Sequence, residues 1–97
     1  MSHYILLINF TEQGIKNIKD SPKRAEAFRT ALEKTGGKLL NLYYTLGKHD
    51  IVAIVEAPND EAIASVLFAT GRQGNVRTRT LKAFPQSEAA KIIENLP

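Results

Sequence analysis

The chain has 97 residues, 43% of them hydrophobic and 24% charged, with a formal net charge of +3 and no cysteine. That length supports one core and one domain over residues 1–97, and the composition is that of a globular chain. Disulfides, thiol nucleophiles and thiolate metal sites are excluded, and no apolar run nears the roughly 18 residues of a membrane span.

The start, Met1-Ser2-His3-Tyr4, lacks the basic region of a signal peptide, which together with the missing cysteine predicts a cytoplasmic protein. Tyr4 to Phe10 reads as a first strand, apolar except for Asn9. Thr11-Glu12-Gln13-Gly14 is a polar connection, and Ile15 and Ile18 predict a short helical turn packed on the core. Ser21-Pro22 predicts a helix start, with the serine hydroxyl accepting from a free amide and proline at the first helical position. Ala25, Phe28, Ala31 and Leu32 then share one face, and Gly36-Gly37 ends the helix.

Lys38 to Leu46 reads as the second strand, Gly47-Lys48-His49-Asp50 as a tight turn, and His49 to Ala57 as the third strand. Pro58-Asn59-Asp60-Glu61 opens a second long helix with acids where the helix dipole favours them, and Ala62, Ile63, Val66, Leu67 and Thr70 form its buried stripe. Gly71 to Gly74 stops it. Val76 to Phe84 is the fourth strand, and a terminal helix from Ser87 carries Ala89, Ile92, Ile93 and Leu96 on one face.

The order β-α-β-β-α-β plus a terminal helix is the ferredoxin-like, split βαβ pattern of an α+β domain, a four-stranded antiparallel sheet with helices on one face. Right-handed crossovers place strands one and three in the centre. Both centres, Tyr4 to Ile8 and Ile51 to Val55, are apolar on both faces, whereas strands two and four are mixed. Two helices cover one face only. The other predicts a homodimer, or a higher oligomer, that pairs sheet against sheet; the terminal helix is the alternative cover.

Three stretches carry a family resemblance: Tyr4 through Lys16, Gly36 through Val52 with Tyr43-Tyr44-Thr45-Leu46-Gly47-Lys48-His49-Asp50 at its heart, and Gly74 through Phe84. With Ser21-Pro22-Lys23-Arg24 they resemble the GYD domain family, small proteins of the dimeric α+β barrel style. The resemblance implies that fold and a dimer, and brings no activity with it. In the naming motif, glycine, a variable residue, tyrosine and aspartate, Gly47 and Asp50 match while His49 stands in place of the tyrosine. A role needing a phenolic hydroxyl there does not carry over.

Several side chains are candidates for chemistry. His49 and Asp50, at the hairpin mouth, are the catalytic candidates: an imidazole acting as acid, base or pH switch, or else turn chemistry with Asp50 capping amides. Tyr43 and Tyr44 point to opposite faces, one packing beneath the helices and the other toward a pocket or the dimer seam. Arg77 and Arg79 share a face of strand four, suited to gripping a carboxylate or phosphate or to blunting a sheet edge, with Glu56 and Asp50 as acidic counterparts. Asn9 either bonds a neighbouring backbone or presents its amide to a ligand. Asn9, Tyr43, His49, Arg77 and Arg79 are thus the expected ligand-binding set.

His3 and His49, the only histidines, lie far apart with no carboxylate at ligand spacing, so no metal or other cofactor is expected. Strand three offers no aromatics for base stacking, which argues against RNA binding. The favoured reading is a small-molecule-binding or regulatory module. The alternative, resting on fold analogy, is a cofactor-independent monooxygenase- or isomerase-like enzyme with His49 as base. An apolar, closed pocket touching both His49 and Asn9 would favour the enzyme; a polar pocket shared between chains near Arg77 and Arg79 would favour the module; neither pocket would favour a purely structural role.

Overall fold

In the computed structural model, which describes residues 1–97, the chain runs β1 (Ser2–Phe10), α1 (Glu12–Lys16), a single 3-10 turn (Ile18–Asp20), α2 (Ser21–Lys34), β2 (Lys38–Tyr44), β3 (Ile51–Ala57), α3 (Asp60–Gly71), β4 (Val76–Ala83) and α4 (Gln86–Glu94). The strands form one antiparallel sheet in the order β2-β3-β1-β4, which puts the two doubly apolar strands in the centre as expected.

Alternation along paired strands sorts side chains into rows that cross the sheet. Three rows face α2 and α3: Tyr44, Ile51, Ile8 and Thr78; then Leu42, Ala53, Leu6 and Thr80; then Leu39, Val55, Tyr4 and Lys82. Their central members, with Leu32 of α2 and Ile63 and Val66 of α3, make up most of the buried core. Burying each large aliphatic side chain contributes on the order of 1.5–3 kcal/mol, so this layer is the main source of stability.

Strand β2 carries a bulge. Leu39 pairs with Val55 and Asn41 with Ile54, so Leu40 is an extra residue. The strand also ends sooner than its composition suggests. Thr45 donates its amide to the Asp50 carbonyl at 2.8 Å and its hydroxyl to the His49 carbonyl at 2.6 Å, which closes a loop where pairing would otherwise continue.

Two local expectations are corrected. Ser21 does not cap α2: the N-cap residue is Asp20, without a side-chain bond, and the Ser21 hydroxyl instead meets the Tyr44 hydroxyl at 2.8 Å. A partner across the fold outcompeted the local amide. Nor do Ile15 and Ile18 pack on the core, being 51% and 39% exposed. The buried residue of α1 is Gly14, because this turn presses its backbone on the loop before β4. A Cβ at Gly14 would lie 1.9 Å from the Asn75 carbonyl oxygen. Thr11 fastens the same contact, accepting from the Gly14 amide at 3.1 Å and donating to the Gly74 carbonyl at 2.6 Å. Gly36, at φ +91°, supplies the left-handed turn that ends α2.

A polar tie closes the far end of the helix-facing layer. The hydroxyl of buried Tyr4 donates to Asp60 Oδ1 in the first turn of α3, and Lys82 Nζ reaches the same oxygen at 3.2 Å. Burial, followed by the bond to Asp60, raises the Tyr4 pKa. The bonds from Tyr4 and then Lys82 lower that of Asp60, and the bond to Asp60 raises that of Lys82.

The terminal helix α4 corrects a further expectation. It has no buried residue and covers neither face; Ile92 and Ile93 are 52% and 65% exposed. The molecule measures 50 × 31 × 18 Å, with a radius of gyration of 14.5 Å. A compact domain of this length has a radius of about 12.5 Å, so the fold is elongated.

Packing of the helix-facing layer sets the cost of disturbing it. Leu6→Ala, at a fully buried central position, lowers unfolding free energy in urea by about 2–5 kcal/mol, and Gly14→Ala by about 1–3 kcal/mol because backbone must shift; an unchanged midpoint for either would contradict the packing described. The tie to Asp60 also makes stability pH-dependent. Because the folded pKa of Asp60 is depressed, its contribution is present at neutral pH and is lost as pH falls below about 4. Because those of Tyr4 and Lys82 are raised, theirs is complete below about pH 10 and is lost as pH rises beyond it. Tyr4→Phe is therefore expected to be less stable at pH 7 and to flatten both limbs, as read from denaturation midpoints between about pH 3 and 11.

Candidate functional site

The rows on the opposite face of the sheet have no element over them. Tyr43, Val52, Leu7 and Arg79 form one row; Asn41, Ile54, Ile5 and Leu81 the next; Lys38, Glu56, His3 and Ala83 the last. The centre is aliphatic. Ile5, Leu7, Val52 and Ile54 are half-buried by their neighbours alone, while Leu81 and Tyr43 are 50% and 57% exposed. Polar residues close both ends.

At one end lie Asn9 and Arg77, register partners across β1 and β4. The Asn9 amide nitrogen donates to the Lys48 carbonyl at 2.7 Å, and its oxygen is 3.1 Å from His49 Nδ1. With the amide oriented by the first bond, the second makes Nδ1 the protonated nitrogen of the neutral ring and leaves Nε2 with the lone pair. Asn9 thus serves both to pin the hairpin loop and to fix a tautomer.

Asp50 is occupied differently. Its Oδ2 accepts from the Phe10 amide at 2.9 Å, and its own amide donates to the Ile8 carbonyl at 2.9 Å. It prolongs the β1–β3 pairing beyond the last regular pair, and its carboxylate makes no bond to the His49 ring.

Arg77 and Arg79 lie exposed on the uncovered face, two residues apart, and neither enters an ion pair within the chain. The acidic counterparts expected for them are engaged elsewhere: Asp50 with the Phe10 amide, and Glu56 with its cross-strand partner His3 at 3.5 Å. His3 Nδ1 is buried without a hydrogen-bond partner. Tyr43 stands at the β2 end of the row that Arg79 closes on β4, three strand spacings away, or about 14 Å. The structure therefore gathers Asn9, His49 and Arg77 at one corner, sets Arg79 beside them, and leaves Tyr43 across the sheet.

The chain's cavity is on the other side. About 60 Å³ in volume, it lies between α2, α3 and the helix-facing rows, with Phe28, Leu42, Ile51 and Leu67 among its walls. Neither His49 nor Asn9 lines it, so the arrangement that would support His49 as a base in an apolar pocket is not found, and neither Arg77 nor Arg79 lines it, so the single chain forms no pocket beside those arginines. Sequence reasoning missed Arg24, the one charged residue in the lining, and the Tyr4–Asp60–Lys82 tie. Alternation does place Tyr4 beneath the helices, but its partner lies 56 positions along the chain.

Known proteins share both this sequence pattern and this sheet. The profile of the GYD domain family matches residues 4–93. A Thermus thermophilus protein named glutamine synthetase and cystathionine beta-lyase binding protein is 29% identical over 89 residues, covering 91% of this chain and 94% of its own. The leucine response regulatory protein of Mycobacterium tuberculosis superposes with a TM-score of 0.65 at 20% identity, over 88% of this chain and 51% of that one. The feast or famine regulatory protein of the same organism, solved with L-methionine, gives 0.67 at 19% identity, over 89% and 52%. This chain spans about half the length of those two regulators. A structure from Thermus thermophilus gives 0.54 at 24% identity, over 88% and 95%. These structural likenesses establish the fold, a ferredoxin-like α+β sheet layer, and the profile match over nearly the whole length establishes the lineage: the chain belongs to the GYD domain family.

Proposed function

We propose that this protein is a regulatory binding module that works as a homodimer, two copies pairing through the uncovered sheet face. The observation that carries the reading is that face itself: an aliphatic centre of Ile5, Leu7, Val52 and Ile54, extended by Leu81 and Tyr43, with no helix over it. A contiguous apolar surface on so small a domain favours association, and two-fold self-pairing meets it with the same patch from a second copy. One local detail supports a partner at this face: Arg77 and Arg79 are exposed cations with no acid inside the chain.

In such a pair the corner of Asn9, His49 and Arg77, with Arg79 beside it, flanks the seam and suits a small anionic ligand held by guanidinium forks. The name of the Thermus thermophilus relative, a binding protein for two enzymes, supports a role exerted by binding rather than by turnover.

Sedimentation equilibrium tests the pairing. The wild type is expected at twice the chain mass, and Ile54→Asp, which would bury an unpaired carboxylate in the seam, is expected at the single-chain mass with its circular dichroism spectrum retained. Burying such a charge costs about 3–5 kcal/mol, a weakening of the pair by at least a hundredfold. A wild type that stays a single chain at millimolar concentration would overturn the reading.

A further inference from the structure

The geometry points to a second, separate binding site: the cavity between the helices and the sheet takes the alkyl part of a small branched monocarboxylate, with Arg24 holding the carboxylate. Its walls are mostly apolar, with Phe28 and Leu67 from the helices over Ile8, Leu42, Ile51 and Val76 of the sheet. A cavity needs roughly 10–15 Å³ to admit one water-sized group, so about 60 Å³ admits on the order of four to six. That is the size of a short branched chain. A largely apolar pocket gains by taking apolar atoms out of water.

Arg24 sets the charge chemistry of the lining. It is the only charged residue of the lining, it is half-buried, and it makes no ion pair within the chain. Its guanidinium is held by two backbone carbonyls, Nη1 donating to Asn17 at 3.0 Å and Nη2 to Gly14 at 3.3 Å. Two carbonyls orient the group without neutralising it. A guanidinium has five N–H donors, so others remain for a ligand. A fixed cation beside an apolar cavity selects a molecule with an apolar body and one anionic end. The turn of α1, pressed on the loop before β4 through Gly14, is what keeps Arg24 in place. This site lies across the sheet from the pairing face, so it stands or falls independently of the dimer.

The test is titration of the 15N-labelled full chain with isovalerate and, separately, with 3-methylbutan-1-ol, which has the same carbon skeleton without the charge. Isovalerate is expected to shift the amides of Ala25, Leu42, Ile51 and Val76 and to bind about tenfold or more tightly than the alcohol, the difference a charge-assisted bond makes. Arg24→Gln is expected to bring the two to equal affinity, and Arg24→Lys to keep part of the preference. Ala25→Leu, which fills the cavity, is expected to abolish binding of both. Equal affinity of acid and alcohol for the wild type would overturn the assignment, whatever the stability of the variants. So would shifts confined to the face bearing Arg77 and Arg79, absence of shifts up to roughly 100 mM, a concentration well above the weakest specific binding, or an acid preference that survives Arg24→Gln.

Discussion

The structure rests on a mismatch between a sheet with two apolar faces and a chain with two helices long enough to cover one of them. Leu6 and Ile54 belong to the same central pair of strands and are equally aliphatic, yet one is sealed beneath α2 and α3 and the other has only its neighbours for shelter. Hydrophobic burial is non-directional and grows with area, so it supplies the drive for both faces and does not distinguish folding from association. In this protein the same physics that builds the core is left half used on the opposite side.

That asymmetry divides the molecule's polar chemistry as well. On the helix side, polar groups are matched within the chain: Tyr4 with Asp60, Ser21 with Tyr44, Thr11 with the glycines at either end of its contact. On the open side they are matched only in part. His3 has Glu56 for one nitrogen and nothing for the other, and the two arginines of β4 have no acid. The unpaired cations of this face suit binding, whereas a catalytic reading built on His49 lacks a pocket, because its ring is held by Asn9 away from the cavity.

How much of this is legible in the sequence follows from how local each determinant is. The order of elements and the central position of strands one and three are readable because they depend on periodicity and crossover handedness, as is the helix start at Pro58-Asn59-Asp60-Glu61, where Asn59 supplies the cap. Ser21 escapes its short-range rule because a long-range competitor, the Tyr44 hydroxyl, takes its place. Ile15 and Ile18 stay outside because the contact of their turn is made by the residue with no side chain. The site residues are legible individually but not as a constellation: Asn9 and His49 are 40 positions apart, and only the β1–β3 register brings them together. Membership of the GYD family is readable from residues spread over nearly the whole length.

The bulge at Leu40 has an implication for how such chains diverge. The extra residue absorbs one step of the alternation in an edge strand, so Leu42 and Tyr44 lie on the same side as Leu39 despite the interruption. A relative that lacks this one position would keep both tyrosines facing as they do here, with only the local twist relaxed. The same single-residue gap opposite, at Ala53, would turn half of β3 over and hand its buried methyls to water. Insertions and deletions are therefore tolerated very unequally within two adjacent strands, and a one-residue gap in an alignment of this family is physically sensible on the edge and not in the middle.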